Sequence, residues 1–319
     1  MKKIIPRLGK WMVILIAFSI GLEIFLWATP FGIPSRMDIY GRRKSFLKNN
    51  LNDAFLRIVC LGDSLTFGYK IKEKYAWPTI LRNRMRSIED RTDIEVLNAG
   101  IRGHTSAQLL ERLDRDVSSR SPDLVIVWVG MNDAWLISDS GSEGKSPSFR
   151  KPSPFLYLET INSIVSSDLL SRFARRFRPD RKTGNLTARV PLEKFQTNIR
   201  NLCTSLRMNG LDNTLFLSLP ELTPPVGAPN AATILQRKTL RIYNSMLTTL
   251  AARRGFRCVD LSGMYLTKGA SIYKADGIHL NRKGTAALVE WLYPEVEEAL
   301  KNKRRMKKIH EPRALSKNI

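Results

Sequence analysis

Four short polar motifs, each placed after an apolar run, contain the residue types that could do chemistry in this 319-residue sequence. In chain order they are GDSLT with Ser64, NAGIRG with Gly100, GMND with Asn132, and DGIHL with Asp276 and His279. A serine hydroxyl becomes an effective nucleophile only beside a base, and an imidazole oriented by a carboxylate can serve as that base. The set therefore contains the parts of a nucleophilic catalyst, although each motif alone is equally typical of a turn or a helix cap.

Histidine is scarce in this sequence, which limits imidazole chemistry to three positions: His104, His279 and His310. His310 lies in a strongly charged tail, so we expect His279 to be the base for Ser64. Asp276 would then hold the imidazole in the productive tautomer. His104, in the loop of the second motif, remains the competing base or a substrate contact.

Alternating apolar runs and helical patterns indicate how these motifs are positioned. Five runs rich in β-branched residues predict buried strands at Arg57–Leu61, Ile94–Leu97, Leu124–Val129, Thr214–Leu219 and Arg257–Leu261. Helical periodicity predicts helices at Tyr75–Ser87, Ser106–Val117, Leu192–Met208, Ile234–Arg253 and Gly284–Leu300. This alternation predicts a parallel sheet with helices on both faces, in which the strand ends converge on one site.

Taken together, the four motifs resemble the SGNH or GDSL-type serine hydrolase family, over roughly residues 56–300. The four residues for which the family is named match Ser64, Gly100, Asn132 and His279. The resemblance implies a flavodoxin-like three-layer α/β/α sandwich with a five-stranded parallel sheet of order 2-1-3-4-5. It also implies an oxyanion hole formed by the N–H groups of Ser64 and Gly100 and the side chain of Asn132.

We therefore expect a serine esterase that cleaves a carboxylic ester through an acyl-enzyme on Ser64, with the triad completed by Asp276 and His279. The expected substrate is a small-molecule, lipid or acylated-glycan ester. No cofactor or metal is predicted, because CxxC, HExxH, P-loop and dinucleotide motifs are absent from the sequence. Two alternatives stay open: an acyltransferase that uses the same triad to acylate a glycan, and a non-catalytic binding protein of the same fold.

The formal net charge of +23 predicts a polyanion or an anionic surface near this protein. We do not expect nucleic acid, because the basic residues are not interleaved with stacking aromatics and no nucleic-acid module is recognisable. The basic tail, residues 301–319, is expected to lie against anionic lipid. Three scattered cysteines, Cys60, Cys203 and Cys258, are interpreted as small buried side chains.

The N-terminus predicts a membrane anchor. A basic segment, residues 1–10, precedes the apolar run Trp11–Ala28, and the favourable insertion of its aliphatic residues outweighs a cost of roughly 3 kcal/mol for Glu23. We therefore expect an uncleaved transmembrane helix over residues 11–29, a linker over residues 30–55, and a hydrolase domain over residues 56–300 outside the cytoplasm.

Residues 138–189 interrupt the alternation of strands and helices, directly after Asn132. This insertion carries an apolar stripe at helical spacing: Leu158, Ile161, Val165, Leu169, Phe173 and Phe177. Such a stripe favours a lid or a membrane-contacting element at the rim of the site. The alternative is an ordinary amphipathic helix that packs on the domain's own core.

Overall fold

The computed structural model describes Phe46 and residues 54–138, 185–222 and 231–310, with only the backbone given for residues 302–310. All of these belong to one compact unit, made of Arg43–Gly141 and Asn185–Ile319. A second unit, made of Met1–Arg42 and Ser142–Gly184, lies outside the described residues.

A five-stranded parallel sheet forms the centre of the described unit. Its strands are β1 (Leu56–Gly62), β2 (Ile94–Gly100), β3 (Leu124–Trp128), β6 (Thr214–Leu217) and β7 (Arg257–Val259). A separate antiparallel pair is formed by β4 (Leu136–Ser138) and β5 (Leu186–Ala188). The strands of the parallel sheet lie side by side in the order β2-β1-β3-β6-β7. Since β6 and β7 are the fourth and fifth strands of this sheet along the chain, this is the order 2-1-3-4-5 that the resemblance implies.

The strands form where apolar residues follow one another without alternation. In β1 and β3 nearly every residue is buried on both faces of the sheet. This is the pattern of parallel strands that are covered by helices on each side. The register aligns the end of β1 at Gly62 with Gly100 of β2 and Trp128 of β3. The ends of these three strands, where the polar motifs are found, therefore lie at the same level of the sheet.

Eight α-helices lie within residues 54–138, 185–222 and 231–310: α1 (Ser64–Phe67), α2 (Trp77–Glu89), α3 (Ser106–Glu111), α4 (Leu113–Asp116), α5 (Leu192–Met208), α6 (Ala231–Arg253), α7 (Ser262–Lys268) and α8 (Arg282–His310). Helix α2 packs with β2 and α8, whereas α5 packs with α3 and α6. The sheet lies between the two groups as the middle of three layers. The largest fully buried side chains of this core are Trp77, Trp128, Phe195 and Phe216.

Two helices differ from the sequence prediction. The helix expected over 106–117 is two helices, α3 and α4, because Arg112 between them leaves helical geometry (φ −110°, ψ 7°) and its guanidinium is buried against strand ends. The last helix continues to His310 instead of ending at Leu300. The first part of the predicted tail is therefore helical, as its lysines, arginines and methionine favour.

The fold prediction is wrong in its transmembrane part. Among the residues that the structure describes, no helix is both long enough and apolar enough to cross a membrane. The two longest, α6 and α8, carry charged residues along their length. The fold therefore contains no transmembrane helix within the described residues. Residues 11–29, where the anchor was predicted, lie outside them.

Most of the predicted insertion also lies outside the described residues. Only its two ends are described, as strands β4 and β5. Phe46, in the predicted linker, is buried, and the guanidinium of Arg120 lies 4.7 Å from the centre of its ring. The remaining domain bounds and the location outside the cytoplasm stay predictions from the sequence.

Candidate active site

Ser64 is the first residue of α1 and directly follows the turn that ends β1. The side chain of Asp63 accepts the backbone N–H of Leu65 at 2.9 Å, which caps the short helix. At Gly62 a Cβ atom would lie 2.1 Å from Oγ1 of Thr66, so only glycine allows the chain to turn this closely. The turn leaves Ser64 only 9% exposed, at the carboxyl edge of the sheet.

The imidazole that contacts Ser64 belongs to His279. Its Nε2 lies 2.9 Å from Oγ of Ser64, and its Nδ1 lies 2.9 Å from Oδ2 of Asp276. Ser64 and His279 are 215 residues apart in the chain, and the sheet brings them together across its carboxyl edge. The structure therefore assembles three of the predicted site residues into one chain of hydrogen bonds.

The carboxylate of Asp276 is fixed by its own loop. Its Oδ1 accepts the backbone N–H groups of Ile278 at 3.0 Å and His279 at 2.9 Å, while Oδ2 faces the imidazole. Partial burial opposes ionisation of this carboxyl, but the hydrogen bonds from the His279 side chain and the two N–H groups outweigh it and lower its pKa to about 2. Asp276 is therefore ionised at neutral pH, as a carboxylate that orients a histidine must be.

Cationic side chains surround the ring that packs on His279. The centroid of the Tyr69 ring lies 4.7 Å from that of the imidazole. Lys70 Nζ lies 5.3 Å, and Arg102 Cζ and Lys274 Nζ 6.0 Å, from the same tyrosine centroid. The ammonium of Lys274 also donates to the Tyr69 carbonyl. These contacts place three positive charges around the ring that packs on His279.

Asn132 lies at the site and is held by two acceptors. Its Nδ2 donates to Oδ2 of Asp63 at 2.9 Å and to the carbonyl of His104 at 3.0 Å. The amide group thus joins the segment after β3 to the turn before Ser64 and to the loop after β2. Within the described residues, the backbone N–H of Ser64 has no acceptor, which leaves it available to a substrate oxygen.

The backbone N–H of Gly100, which the resemblance assigns to the oxyanion hole, makes a hydrogen bond within the described residues. It donates to Oδ1 of Asn98 at 3.0 Å, whereas the N–H of Ile101 donates to Gly62 on β1 at 3.0 Å. Because successive N–H groups of a strand point in opposite directions, the N–H of Gly100 points away from β1, towards the edge of the sheet. Glycine is required here for packing, because a Cβ atom would lie 2.2 Å from the backbone N of Phe67.

Gly103 offers another backbone donor, in the loop after β2. It has a left-handed backbone (φ 73°) and precedes His104, whose carbonyl contacts Asn132. Its own carbonyl accepts from Nη1 of Arg189 at 3.1 Å, and its N–H has no acceptor among the described residues. The oxyanion roles of Ser64, Gly100 and Asn132 stay predictions, and Gly103 is the glycine whose placement fits such a role.

Two buried carboxyls organise the loops around these residues. Burial raises the pKa of Asp63 to about 7, against the lowering effect of the N–H of Leu65. Burial likewise raises the pKa of Asp133 to about 6, against its hydrogen bonds from Ser106. Asp133 accepts the backbone N–H of Ser106 at 3.0 Å and its hydroxyl at 2.5 Å, and thereby fixes the start of α3. Both residues thus act as hydrogen-bond acceptors that hold the loops around the site in place.

Arg112 is a site-supporting residue that the sequence analysis missed. Its guanidinium is 2% exposed and donates to the carbonyls of Ala99 at 2.7 Å and Gly62 at 2.8 Å, as well as to Asp116 at 2.8 Å. It therefore clamps the ends of β1 and β2 just before the residues of the site. The sequence offers only one signal for it, an Arg–Asp pair at i,i+4 spacing, which is equally typical of an exposed helix face.

The fold and the site together define a class of protein. A serine, an imidazole and a carboxylate in successive hydrogen-bond contact form the arrangement of a serine hydrolase. Here they occupy the carboxyl edge of a parallel sheet without the GxSxG turn of the α/β-hydrolases.

The chain belongs to the GDSL-like lipase/acylhydrolase family, whose sequence profile matches residues 60–287. It is similar to an arylesterase of Vibrio mimicus, with 33% identity over 88 residues, which is 28% of this chain and 43% of that protein. It is also similar to thioesterase 1/protease 1/lysophospholipase L1 of Escherichia coli K12, with 38% identity over 76 residues, 24% of this chain and 34% of that protein. The matched segments span less than half the length of these two relatives.

Solved structures share the fold. A crystal structure of the acetyl xylan esterase AlAXEase superposes with a TM-score of 0.52 and 18% identity, covering 76% of this chain and 100% of that one. A hydrolase named LAE5, from the metagenome of Lake Arreo in Spain, gives a TM-score of 0.50 and 18% identity over 79% of this chain and 97% of that one. At this level of identity the similarity extends to the fold alone.

Proposed function

We propose that this protein is a serine esterase that hydrolyses carboxylic esters through an acyl-enzyme on Ser64. The observation that carries the proposal is the unbroken series of contacts from Ser64 to His279 to Asp276, each 2.9 Å long. Membership of the GDSL-like lipase/acylhydrolase family supports it, as do the names of the two relatives, an arylesterase and a thioesterase/lysophospholipase.

Acylation begins with a proton transfer that the geometry favours. Nε2 of His279 takes the hydroxyl proton as Oγ of Ser64 attacks the ester carbonyl, and the ionised Asp276 stabilises the resulting imidazolium through Nδ1–H. The carbonyl oxygen becomes an oxyanion in the tetrahedral intermediate. When the C–O bond to the alcohol breaks, the imidazolium returns its proton to the departing alkoxide, and the acyl group remains on Ser64.

The oxyanion needs donors that are in place before the reaction. Three donors are suited to this role: the backbone N–H groups of Ser64 and Gly103 and the side-chain amide of Asn132. When substrate binds, Asn132 exchanges its hydrogen bond to the His104 carbonyl for one to the oxyanion. Its other hydrogen bond, to Asp63, keeps the amide oriented. Arg102 and Lys274 add positive charge beside Tyr69, whose ring packs on His279.

Deacylation repeats these steps with water as the nucleophile. His279 removes a proton from the water, which attacks the acyl carbonyl, and the same donors stabilise the second oxyanion. Collapse of this intermediate breaks the bond to Oγ of Ser64 and returns the proton from His279 to that oxygen. The products are an alcohol and a carboxylic acid, and the enzyme is regenerated.

Hydrolysis of 4-nitrophenyl acetate tests the proposed activity. The wild-type protein should release nitrophenolate with saturable kinetics, and rapid mixing should reveal a burst of one equivalent per chain if deacylation is slower than acylation. Ser64→Ala and His279→Gln should each lose nearly all turnover while their melting temperatures stay close to that of the wild type. Wild-type turnover by Ser64→Ala would overturn the assignment of the nucleophile.

Substitution of Asn132 tests the oxyanion site separately. Asn132→Ala should lower kcat by roughly 10²- to 10³-fold with little change in KM, because the donor acts on charge that appears only in the transition state. Asn209→Ala is a matched control, since the Asn209 side chain caps the C-terminal end of α5, where it donates to Asp114 and the Ser205 carbonyl, and its loss should leave kcat unchanged. A change confined to KM would instead make Asn132 a substrate-binding residue.

A further inference from the structure

A groove of about 890 Å³ lies between α5 and α6, and its lining is cationic. We call it the α5–α6 groove. Arg200 of α5 and the α6 residues Arg237, Lys238, Arg241 and Arg253 line it, and no carboxylate does. Helix α6 contains no Asp or Glu anywhere between Ala231 and Arg253. Natural surfaces normally mix the two signs of charge, so a cavity lined by one sign attracts a ligand of the other.

The guanidinium of Arg237 has hydrogen-bond donors that an anionic ligand could use. Its Nε and Nη2 are shielded from solvent, and neither has a hydrogen-bond acceptor among the described residues. A buried donor without an acceptor is costly, and a carboxylate can accept two parallel hydrogen bonds from a guanidinium. By contrast, Arg241 nearby already lies 3.4 Å from Glu221. Arg237 therefore marks where the charged end of an anionic ligand would bind.

Apolar side chains also line the groove along much of α6. Ile234, Ile242, Met246 and Leu250 line it and follow one another at steps of eight, four and four residues along the helix. Ile234 is 55% exposed and Ile242 is 44% exposed. From Ile234 to Leu250 the helix rises roughly 24 Å. A stripe of this length beside cations suits a molecule with an extended apolar chain and an anionic end.

From the two unsatisfied donors of Arg237 and the adjacent apolar side chains, we infer that the α5–α6 groove binds a fatty-acid-like anion. Its carboxylate pairs with Arg237, and its alkyl chain lies along Ile242 and Met246. The volume of the groove is typical of sites for small ligands, which span about 300 to 1,000 Å³. No residue that lines it contacts Ser64, Asp276 or His279 in the described structure. The site is thus distinct from the proposed esterase site and does not depend on its activity.

Calorimetric titration of the full chain with decanoate tests this inference, with 1-decanol and acetate as probes of the two halves of the ligand. We expect one decanoate to bind per chain and both probes to bind at least tenfold more weakly. Arg237→Gln should weaken decanoate binding by about tenfold, the effect of one lost charge-assisted hydrogen bond. Ile242→Ser should weaken it by a similar factor.

Two matched variants control for charge and for apolar surface. Arg115→Gln removes a cation that is 71% exposed on α4, and Leu266→Ser removes a leucine that is 80% exposed on α7. Both should bind decanoate as the wild type does, and melting curves should show that all four variants fold. The inference is overturned if decanoate does not bind, if either probe binds equally well, or if Arg237→Gln and Ile242→Ser bind decanoate like the wild type. Binding to anionic vesicles without binding of monomeric decanoate would also overturn it.

Discussion

Replacing Asp276 by Asn should impair catalysis while leaving the loop around it intact. The new amide oxygen can still accept the N–H groups of Ile278 and His279, which Oδ1 accepts now. The amide NH₂ would then face Nδ1 of His279, 2.9 Å away in the present structure, and Nδ1 would have to act as an acceptor. The imidazole proton would move to Nε2, the atom that must take the proton of Ser64, so the base would be held in the wrong tautomer.

The size of this effect follows from the exposure of the carboxylate. For a fully buried triad aspartate the same change lowers kcat by about 10⁴-fold. The Asp276 side chain is 37% exposed, so water screens part of its charge, and we expect a loss nearer 10³-fold, or roughly 4 kcal/mol in the activation barrier. KM should change little. Steady-state hydrolysis of 4-nitrophenyl acetate between pH 7 and 9, together with a melting curve, measures both quantities. A kcat within tenfold of the wild type would refute the proposed role of Asp276.

Three further predictions concern the frame of the site. Gly100→Ala should destabilise the fold by several kcal/mol in urea unfolding, because its Cβ atom would overlap the backbone of α1; a loss below about 1 kcal/mol would argue against this tight approach. Arg112→Met should cost roughly 3–5 kcal/mol, because it leaves Asp116 buried without this partner, whereas the exposed Arg115→Met should cost less than about 1 kcal/mol. Burial raises the pKa of Asp63 to about 7 in the folded state, above its ordinary value of about 4 in the unfolded chain. The protonated carboxyl therefore stabilises the fold fully below about pH 4, and this stabilisation is lost as the pH rises through 7. The wild type should therefore lose more stability than Asp63→Asn between pH 5 and pH 8, and parallel losses would contradict the raised pKa.

The sheet and the catalytic motifs could be predicted because their signals are local. Each buried parallel strand appears as a continuous apolar run, and the residues that follow such runs meet at one edge for topological reasons. Ser64, Asp276 and His279 were therefore predicted to meet although up to 215 residues separate them, and the structure places them within hydrogen-bond distance.

Other features depend on tertiary contacts that carry no local signal. The break at Arg112 occurs because its guanidinium reaches two strand-end carbonyls, which no helical periodicity encodes. The oxyanion role expected of Gly100 depends on the direction of its N–H, which follows from the register of β2 against β1 and has no local signal. The antiparallel pair of β4 and β5 joins segments separated by a long insertion, and three-residue strands are too short to give a pattern.

Covalent labelling of Ser64 tests the central claim most directly. The full chain is incubated with a fluorophosphonate, and intact-mass spectrometry followed by peptide mapping locates the adduct. The proposed mechanism predicts one phosphonyl group per chain, attached to Oγ of Ser64, with no adduct on Ser64→Ala and much slower labelling of His279→Gln. An adduct on another residue, or equal labelling of the wild type and Ser64→Ala, would contradict the proposal that Ser64 is the nucleophile.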